Sequence, residues 1–256
     1  MSAADVNDIN HSVGMDGILA GAADVNAADV NAADAGVAGV NAGKAAIFDL
    51  DGTLLDSMGV WGRIDEEFLA RRGIAVPDDY MTTVASMQFA QIADYTIRRF
   101  GLPDTPAQLM AEWDRMAHEA YATQVRAKPG AVDYLRWLRD SGARLAIATT
   151  LTASLRGPAL RHLGLDGLFE TVVTPADVGG VGKERPDVYM EAASRLAVAP
   201  DDCTVFEDLL AAVRSAKSAG MRVWAMLDDS SRADWSAIRA LADGTLTDFD
   251  AAPRTL

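Results

Sequence analysis

The sequence predicts an α/β protein: a parallel sheet with helices on both faces and a helical domain inserted after the first strand. Three observations carry this. From Lys44 onward, apolar runs of strand length alternate with amphipathic segments of helix length. That alternation lays strands side by side in one direction, covered on both faces. The apolar runs end in polar, chemistry-bearing residues, and in such sheets ligands bind beyond the C-terminal strand ends. One interval, from Ser57 to Pro129, spans about 70 residues, where a whole strand–helix–strand unit needs only about 30.

Residues 1–43 stand apart in composition. The string AADVN begins at Ala3, Ala22 and Ala27, AAD recurs at Ala32, and the stretch holds six Asp but no Lys, Arg or aromatic residue. A period of five fits neither helix nor strand and is far below solenoid length. The expectation is a low-complexity, disordered tail that buries too little surface to order itself. A start at Met15 is the other reading of this stretch.

The first strand is the run KAAIFDL, Lys44 to Leu50. The long interval after it carries the helical patterns WGRIDEEFLARRG and FAQIADYTIRRFG and no clear strand. It is read as a helical cap domain, residues 58–127, lying over the C-terminal edge of the sheet as a lid. The core domain is then residues 44–57 and 128–256. Within it, Val132, Leu135 and Leu138 share a helix face that stops at Gly142. The strand RLAIATT (Arg144–Thr150) follows, then ETVVT (Glu170–Thr174) and CTVF (Cys203–Phe206). Leu209, Val213 and Ala216 share the next helix face, stopped by Gly220, before the strand RVWAML (Arg222–Leu227).

Composition bounds the function. The chain has 256 residues, 50% of them hydrophobic, with 23 Lys+Arg against 37 Asp+Glu and a net charge of −14. Such an acidic surface argues against nucleic-acid backbones and anionic membranes as partners. No apolar run reaches the roughly 18 residues of a membrane span, and the N-terminus lacks the basic and apolar regions of a signal peptide. Cys203 is the single cysteine, so no internal disulfide forms and a reducing, cytoplasmic setting is expected. Cys203 itself reads as a small buried strand residue. A monomer or weak homodimer is expected.

Four strand ends meet at one edge of a parallel sheet. They bring Asp49, Asp51, Gly52 and Thr53, then Thr149 and Thr150, then Lys183 in GGVGKERPDVY, then Glu207 and Asp208. Each alone has a bland reading: Asp-Gly is a common turn pair, a lone lysine is usually solvated, and an acid before a helix favours its N-terminus. Together they set four carboxylates against one ammonium, and burying such an excess of like charge is costly. A hard divalent cation resolves it. Mg²⁺ takes oxygen ligands, commonly one or two carboxylates plus waters and a substrate phosphate. With Mg²⁺ and Lys183 the pocket attracts a phosphoryl group, whose transfer needs mostly positioning and charge neutralisation. Asp49, ending a rigid strand, is placed to attack phosphorus, and Asp51 to move protons. A calcium loop starting at Asp49 would want Gly at its sixth position and Glu at its twelfth, where this chain has Leu54 and Val60.

These residues resemble the haloacid dehalogenase superfamily, in the branch with a helical cap between its first and second motifs. D-x-D-G-[TV] is Asp49 to Thr53, and the strand-ending Thr or Ser is Thr149. The lysine followed by x-x-P-D-[VI]-[YF] is Lys183 with Pro186, Asp187, Val188 and Tyr189. The acidic pair before a helix is Glu207-Asp208, with Ala219-Gly220-Met221 after it. The resemblance spans residues 44 to 228 and implies a Rossmann-like core with an inserted α-helical cap. By it, Asp49 is the nucleophile and a metal ligand, and Asp51 is the acid/base with its backbone carbonyl on the metal. Asp208 binds Mg²⁺, with Glu207 beside it or through water. The substrate and phosphate set is Thr149, Thr150, Lys183, Gly52 and Trp61. Glu184 stands where a proline is commoner, with little consequence expected.

A halide leaves without a proton, so an acid at Asp51 favours an oxygen leaving group. The expected activity is Mg²⁺-dependent hydrolysis of a small phosphate monoester, most plausibly a sugar phosphate, through an aspartyl-phosphate. A β-phosphoglucomutase-like phosphotransferase is the rival enzyme. That family places a His ten residues after the second Asp, where this chain has Trp61, an aromatic suited to a ring face. A non-catalytic phospho-acceptor or binding protein is the rival of another class. Receiver-type signalling domains use a phosphorylated Asp, Mg²⁺, Thr and Lys on a similar sheet, but they need no lid. His11, His118 and His162 read as surface or packing residues, and Arg63, Met87 and Gln88 as cap positions that could read the substrate.

Overall fold

The computed structural model describes residues 38–84, 87 and 89–256. The expected tail, Met15 and His11 fall almost entirely outside the described residues, and so does Gln88. Eight strands are described: β1 (Ala45–Phe48), β2 (Leu55–Asp56), β3 (Arg126–Ala127), β4 (Arg144–Ala148), β5 (Thr171–Val173), β6 (Cys203–Glu207), β7 (Arg222–Met226) and β8 (Gly244–Leu246). The described helices are α1 (Val60–Ala70), α2 (Tyr80–Val84), α3 (Phe89–Phe100), α4 (Pro106–Thr123), α5 (Ala131–Asp140), α6 (Ala153–His162), α7 (Asp187–Arg195), α8 (Leu210–Ser218) and α9 (Trp235–Leu241). No helix among them is long and apolar enough to cross a membrane.

Six strands form one sheet in the order β5-β4-β1-β6-β7-β8, every pairing parallel. The Rossmann-like α/β architecture expected from the sequence is present. β1 lies between β4 and β6, so the chain leaves it toward one side first and returns later on the other. That is a switch point, beside which loops part and a crevice opens.

Alternation along β1 assigns its faces. Ala46 and Phe48 join one buried cluster with Phe206, Tyr134 and Leu135, the last two from α5. Ala45 and Ile47 join a second cluster with Val205, α7 residues Val188 and Tyr189, and α8 residue Val213. Both faces are thus covered, which is why these strands read as unbroken apolar runs. Phe48 and Phe206 stack with ring centroids 4.5 Å apart and planes at 8°, and each such burial stabilises by about 1.5–3 kcal/mol.

Two expectations are corrected, and one strand is added. The interval 58–127 was expected to hold no strand, but Leu55↔Ala127 and Asp56↔Arg126 pair as a two-residue antiparallel ladder, too short to leave a pattern. A sixth main-sheet strand, β8, lay outside the sequence reading: Gly-Thr-Leu has one buried apolar residue. Leu209 does not share the buried face of α8. It is the N-cap, in an extended conformation, and is exposed.

Between β2 and β3 the chain forms only helices among the described residues. α4 starts at a capping box in which Thr105 and Gln108 bond reciprocally, with Pro106 at the first helical position. Its apolar stripe of Leu109, Trp113, Met116, Ala117 and Ala120 is buried, and α4 packs against α6, which follows β4.

Candidate active site

The alternation of β1 continues one residue past its end, so Asp49 falls on the Ile47 face and Leu50 returns to the Phe48 face. The Asp49 amide donates to Phe206 O at 3.0 Å, fixing it beside the end of β6. Glu207 follows Phe206 and alternates onto the same face as Asp49. α7 covers that face, and the loop entering α7 delivers Lys183. Its ammonium donates to Asp49 Oδ1 at 2.5 Å and pairs with Glu207 Oε1.

Glu207 is saturated by its own protein. Oε1 also accepts from the Tyr189 hydroxyl at 2.8 Å, and Oε2 accepts from the amides of Asp208 at 3.0 Å and Leu209 at 3.3 Å. Asp208 is not saturated. Its Oδ1 accepts from Thr53 Oγ1 at 3.2 Å, while Oδ2 is buried with no hydrogen-bond partner. Gly52, at φ +83°, lets the backbone close over this atom: a Cβ there would lie 2.6 Å from Asp208 Oδ2. Any other residue at position 52 would be strained and would collide with the carboxylate.

Asp51 is held differently. Its Oδ1 accepts from Ser57 Oγ at 2.6 Å and from the Tyr121 hydroxyl at 2.9 Å. Both donors come from outside the main sheet, Tyr121 from the far end of α4. A cavity of about 410 Å³ opens over these groups, lined by Asp49, Asp51, Thr150, Lys183 and Asp208 on one side and Ser57, Met58, Trp61 and Tyr121 on the other. Glu184 also lines it, so the departure from the commoner proline puts a carboxylate at the mouth. Thr149 is buried beneath the wall, its Oγ1 accepting from the Leu151 amide at 3.1 Å. Thr150 is the threonine that faces the cavity.

Of the site residues expected from the sequence, Asp49, Asp51, Trp61, Thr150, Lys183 and Asp208 line this cavity, and Gly52, Thr149 and Glu207 do not. Ser57, Tyr121 and Tyr189 were not singled out as partners of the carboxylates. Ser57 stands six residues after Asp51 and shows no helix or strand register with it. Tyr121 is seventy positions away and reads as part of an apolar helix stripe. Of the residues expected to read a substrate, Arg63 and Met87 do not line this cavity. Cys203 is buried with its thiol on Ala199 O, and burial pushes that thiol up to about 11.

The electrostatics mark a shortage of positive charge. Burial pushes the Asp49 carboxyl up to about 7; Lys183 opposes the shift and the charge on Glu207 adds to it. Burial, then Glu207 and Asp49, push Asp208 up to about 8. Burial also raises Asp51, against its bonds from Ser57 and Tyr121. Desolvation works against the Lys183 ammonium, but Asp49 and Glu207 outweigh it and hold its pKa above the ordinary lysine value. One ammonium does not balance these acids.

A cation fits the donor set. Oxygens of Asp49, Glu207 and Asp208 lie within 4.8 Å of one another, and all are hard donors of the kind a divalent ion takes. The unpartnered Asp208 Oδ2 is buried among them, and a buried carboxylate oxygen without a partner is costly.

The model of the haloacid dehalogenase-like hydrolases matches residues 44–220. Hexitol phosphatase A of Escherichia coli is 34% identical over 185 residues, covering 72% of this chain and 82% of that protein. Protein CbbY of Rhodobacter capsulatus is 31% identical over 210 residues, covering 75% and 91%. The crystal structure of a HAD family hydrolase from Deinococcus radiodurans, with bound phosphate and sodium, superposes with a TM-score of 0.63 at 28% identity, covering 81% of this chain and 92% of that one. By the extent of the match and the identity to these relatives, the chain belongs to the haloacid dehalogenase-like hydrolases.

Proposed function

We propose that the protein is a divalent-metal-dependent phosphatase acting on a phosphate monoester of the sugar phosphate class, with Asp49 as nucleophile. The observation that carries it is the meeting of Asp49, Lys183 and the unpartnered Asp208 Oδ2 under one cavity. The named activity of hexitol phosphatase A supports the substrate class.

Asp49 and Asp208 would hold the metal, Mg²⁺ being the ion expected, with the Asp51 backbone carbonyl nearby and Glu207 supporting through Lys183 and the Asp208 amide. When bound, the ion would supply the positive charge that the site lacks and offset the charge of the phosphoryl oxygens. Lys183 and the Thr149–Thr150 strand end would hold those oxygens, with Gly52 keeping the turn open beside them.

An Asp49 carboxylate oxygen attacks phosphorus as the bond from phosphorus to the ester oxygen breaks, leaving an aspartyl-phosphate and an alcohol. Asp51 donates the proton that the leaving oxygen needs. Its Oδ1 is engaged by two hydroxyl donors, so Oδ2 carries that proton. The same carboxylate then takes a proton from the water that attacks phosphorus, and the bond from phosphorus to the Asp49 oxygen breaks, releasing phosphate and the Asp49 carboxylate. Residues 58–127 act as the cap over the core formed by 44–57 and 128–256, and Trp61 and Tyr121 are the cap side chains that reach the reaction.

Replacing Asp49 with Asn abolishes phosphate release from sugar phosphates in Mg²⁺. Release at the wild-type rate by that variant would overturn the assignment. Glucose 1,6-bisphosphate with β-glucose 1-phosphate separates the rival transferase, which would yield glucose 6-phosphate without free phosphate.

A further inference from the structure

The mouth of the acid-lined cavity carries one charge that the mechanism does not use. Lys183 and Glu184 are neighbours in sequence and part ways in space. The Lys183 ammonium turns inward, buried on Asp49 and Glu207. Glu184 stays exposed and lines the same cavity. Its carboxylate lies back over Gly182, where a Cβ would collide with it, so the glycine leaves the acid room beside the opening.

The protein does not neutralise Glu184. Among the described residues it has no hydrogen bond or ion pair. Arg185, the next residue, is turned to Asp187 at 3.2 Å. Lys183 is the one cation among the described residues that line the cavity, and residues 1–37, 85, 86 and 88 include no Lys or Arg. The other exposed residues of the lining, Met58, Trp61, Thr150, Leu209 and Ala211, are uncharged. The phosphoryl group to be cleaved meets Lys183 at the bottom of the cavity. A second phosphate on the same substrate would stand at the mouth, facing Glu184 with no cation to offset either charge. Such a repulsive element discriminates between ligands that share every attractive contact.

We infer that Glu184 selects against substrates with a second anionic group, so the substrate carries one phosphate on an otherwise uncharged sugar. This rests on the phosphatase reading of the same site and narrows its substrate class. It gives position 184, where little consequence was expected, a part in specificity.

The test compares fructose 6-phosphate with fructose 1,6-bisphosphate. In water, one like charge a few ångströms away is worth roughly fivefold per unit of charge. Wild-type protein should therefore favour the monophosphate in kcat/KM by about tenfold or more, a phosphate carrying nearly two charges. Glu184→Gln should narrow that preference about fivefold, and Glu184→Lys should narrow it further. The wild-type preference should also shrink in about 0.5 M NaCl, where exposed charges are screened. A merely structural role would lower both substrates together and leave their ratio alone. The same ratio is read as Kd by calorimetry on Asp49→Asn protein, with and without the change at Glu184. A Kd ratio that follows the charge at position 184, with no phosphate released by wild-type protein, would sink the phosphatase reading and leave the selection standing. Ratios unmoved by Gln or Lys would overturn the selection, and so would a wild-type preference for the bisphosphate. Absence of both turnover and binding would overturn the two together.

Discussion

Three carboxylates at this edge differ because their neighbours differ. Glu207 is spent on Lys183, Tyr189 and two amides, Asp51 is pinned through one oxygen, and Asp208 keeps a buried oxygen free. An acid outside this edge is instructive by contrast. Asp65 on α1 has no hydrogen-bond partner among the described residues, and burial alone raises it from 3.8 to about 6. The folded state therefore binds this proton more tightly than the unfolded chain, so stability falls as pH rises through that window and levels above it. Asp65→Asn should raise the Tm at pH 7.5 by about 2–4 °C, equivalent to about 1 kcal/mol after solvent screening. The gain should vanish by pH 4, where the aspartic acid is already neutral. An equal gain at both pH values in paired thermal melts would show that burial of the charge is not the cause.

At the scale of elements, the legible parts were those with a period. β1, β4, β6 and β7 are mostly apolar runs because both faces are covered, and their alternation with helices brings Asp49, Lys183 and Asp208 toward one edge. The two-residue strands β2 and β3 have no period to read, and Leu209 obeyed a helical period that its extended backbone breaks. The donors to Asp51 were hidden because Tyr121 reaches it only through tertiary packing. A second hidden tie joins β3 to β7. Lys128, just after β3, donates to Asp228 Oδ2 at 2.7 Å, and both side chains are nearly buried. Ser230 also bonds Asp228, and although burial opposes it, these partners hold the carboxyl below its ordinary value. Lys128→Met should cost about 1.5–3 kcal/mol in urea unfolding, since it removes one charged partner of Asp228 while the Ser230 bonds remain. Adding Asp228→Leu should recover part of that loss. If the double variant is no better than the single, the pair is not the cause.

For the whole molecule, the site is held at an energetic cost that a ligand can relieve. Burial, with the like charges around them, raises Asp49 to about 7 and Asp208 to about 8. Mg²⁺ that binds only the folded chain should raise the Tm, and at 100 times its Kd the linkage contributes about 2.7 kcal/mol. Asp208→Asn should remove most of the Mg²⁺-dependent rise while raising the Tm of the metal-free protein. A Tm indifferent to Mg²⁺ in the wild type, followed by scanning calorimetry, would exclude a cation site at these acids.

The stems of the helical segment carry one more consequence. Leu55 pairs with Ala127, so a long excursion departs and returns through adjacent residues, about 5 Å apart as antiparallel partners are. The chain entropy of closing such a loop grows only as the logarithm of its length, about 0.6 kcal/mol for each doubling. Helices can therefore be added to, removed from or exchanged in this excursion with little change in closure entropy, while Asp49, Lys183 and Asp208 remain fixed by the sheet. Under the proposed reading of residues 58–127 as a cap, a gene encoding this fold can change what it recognises far more readily than what it does to it.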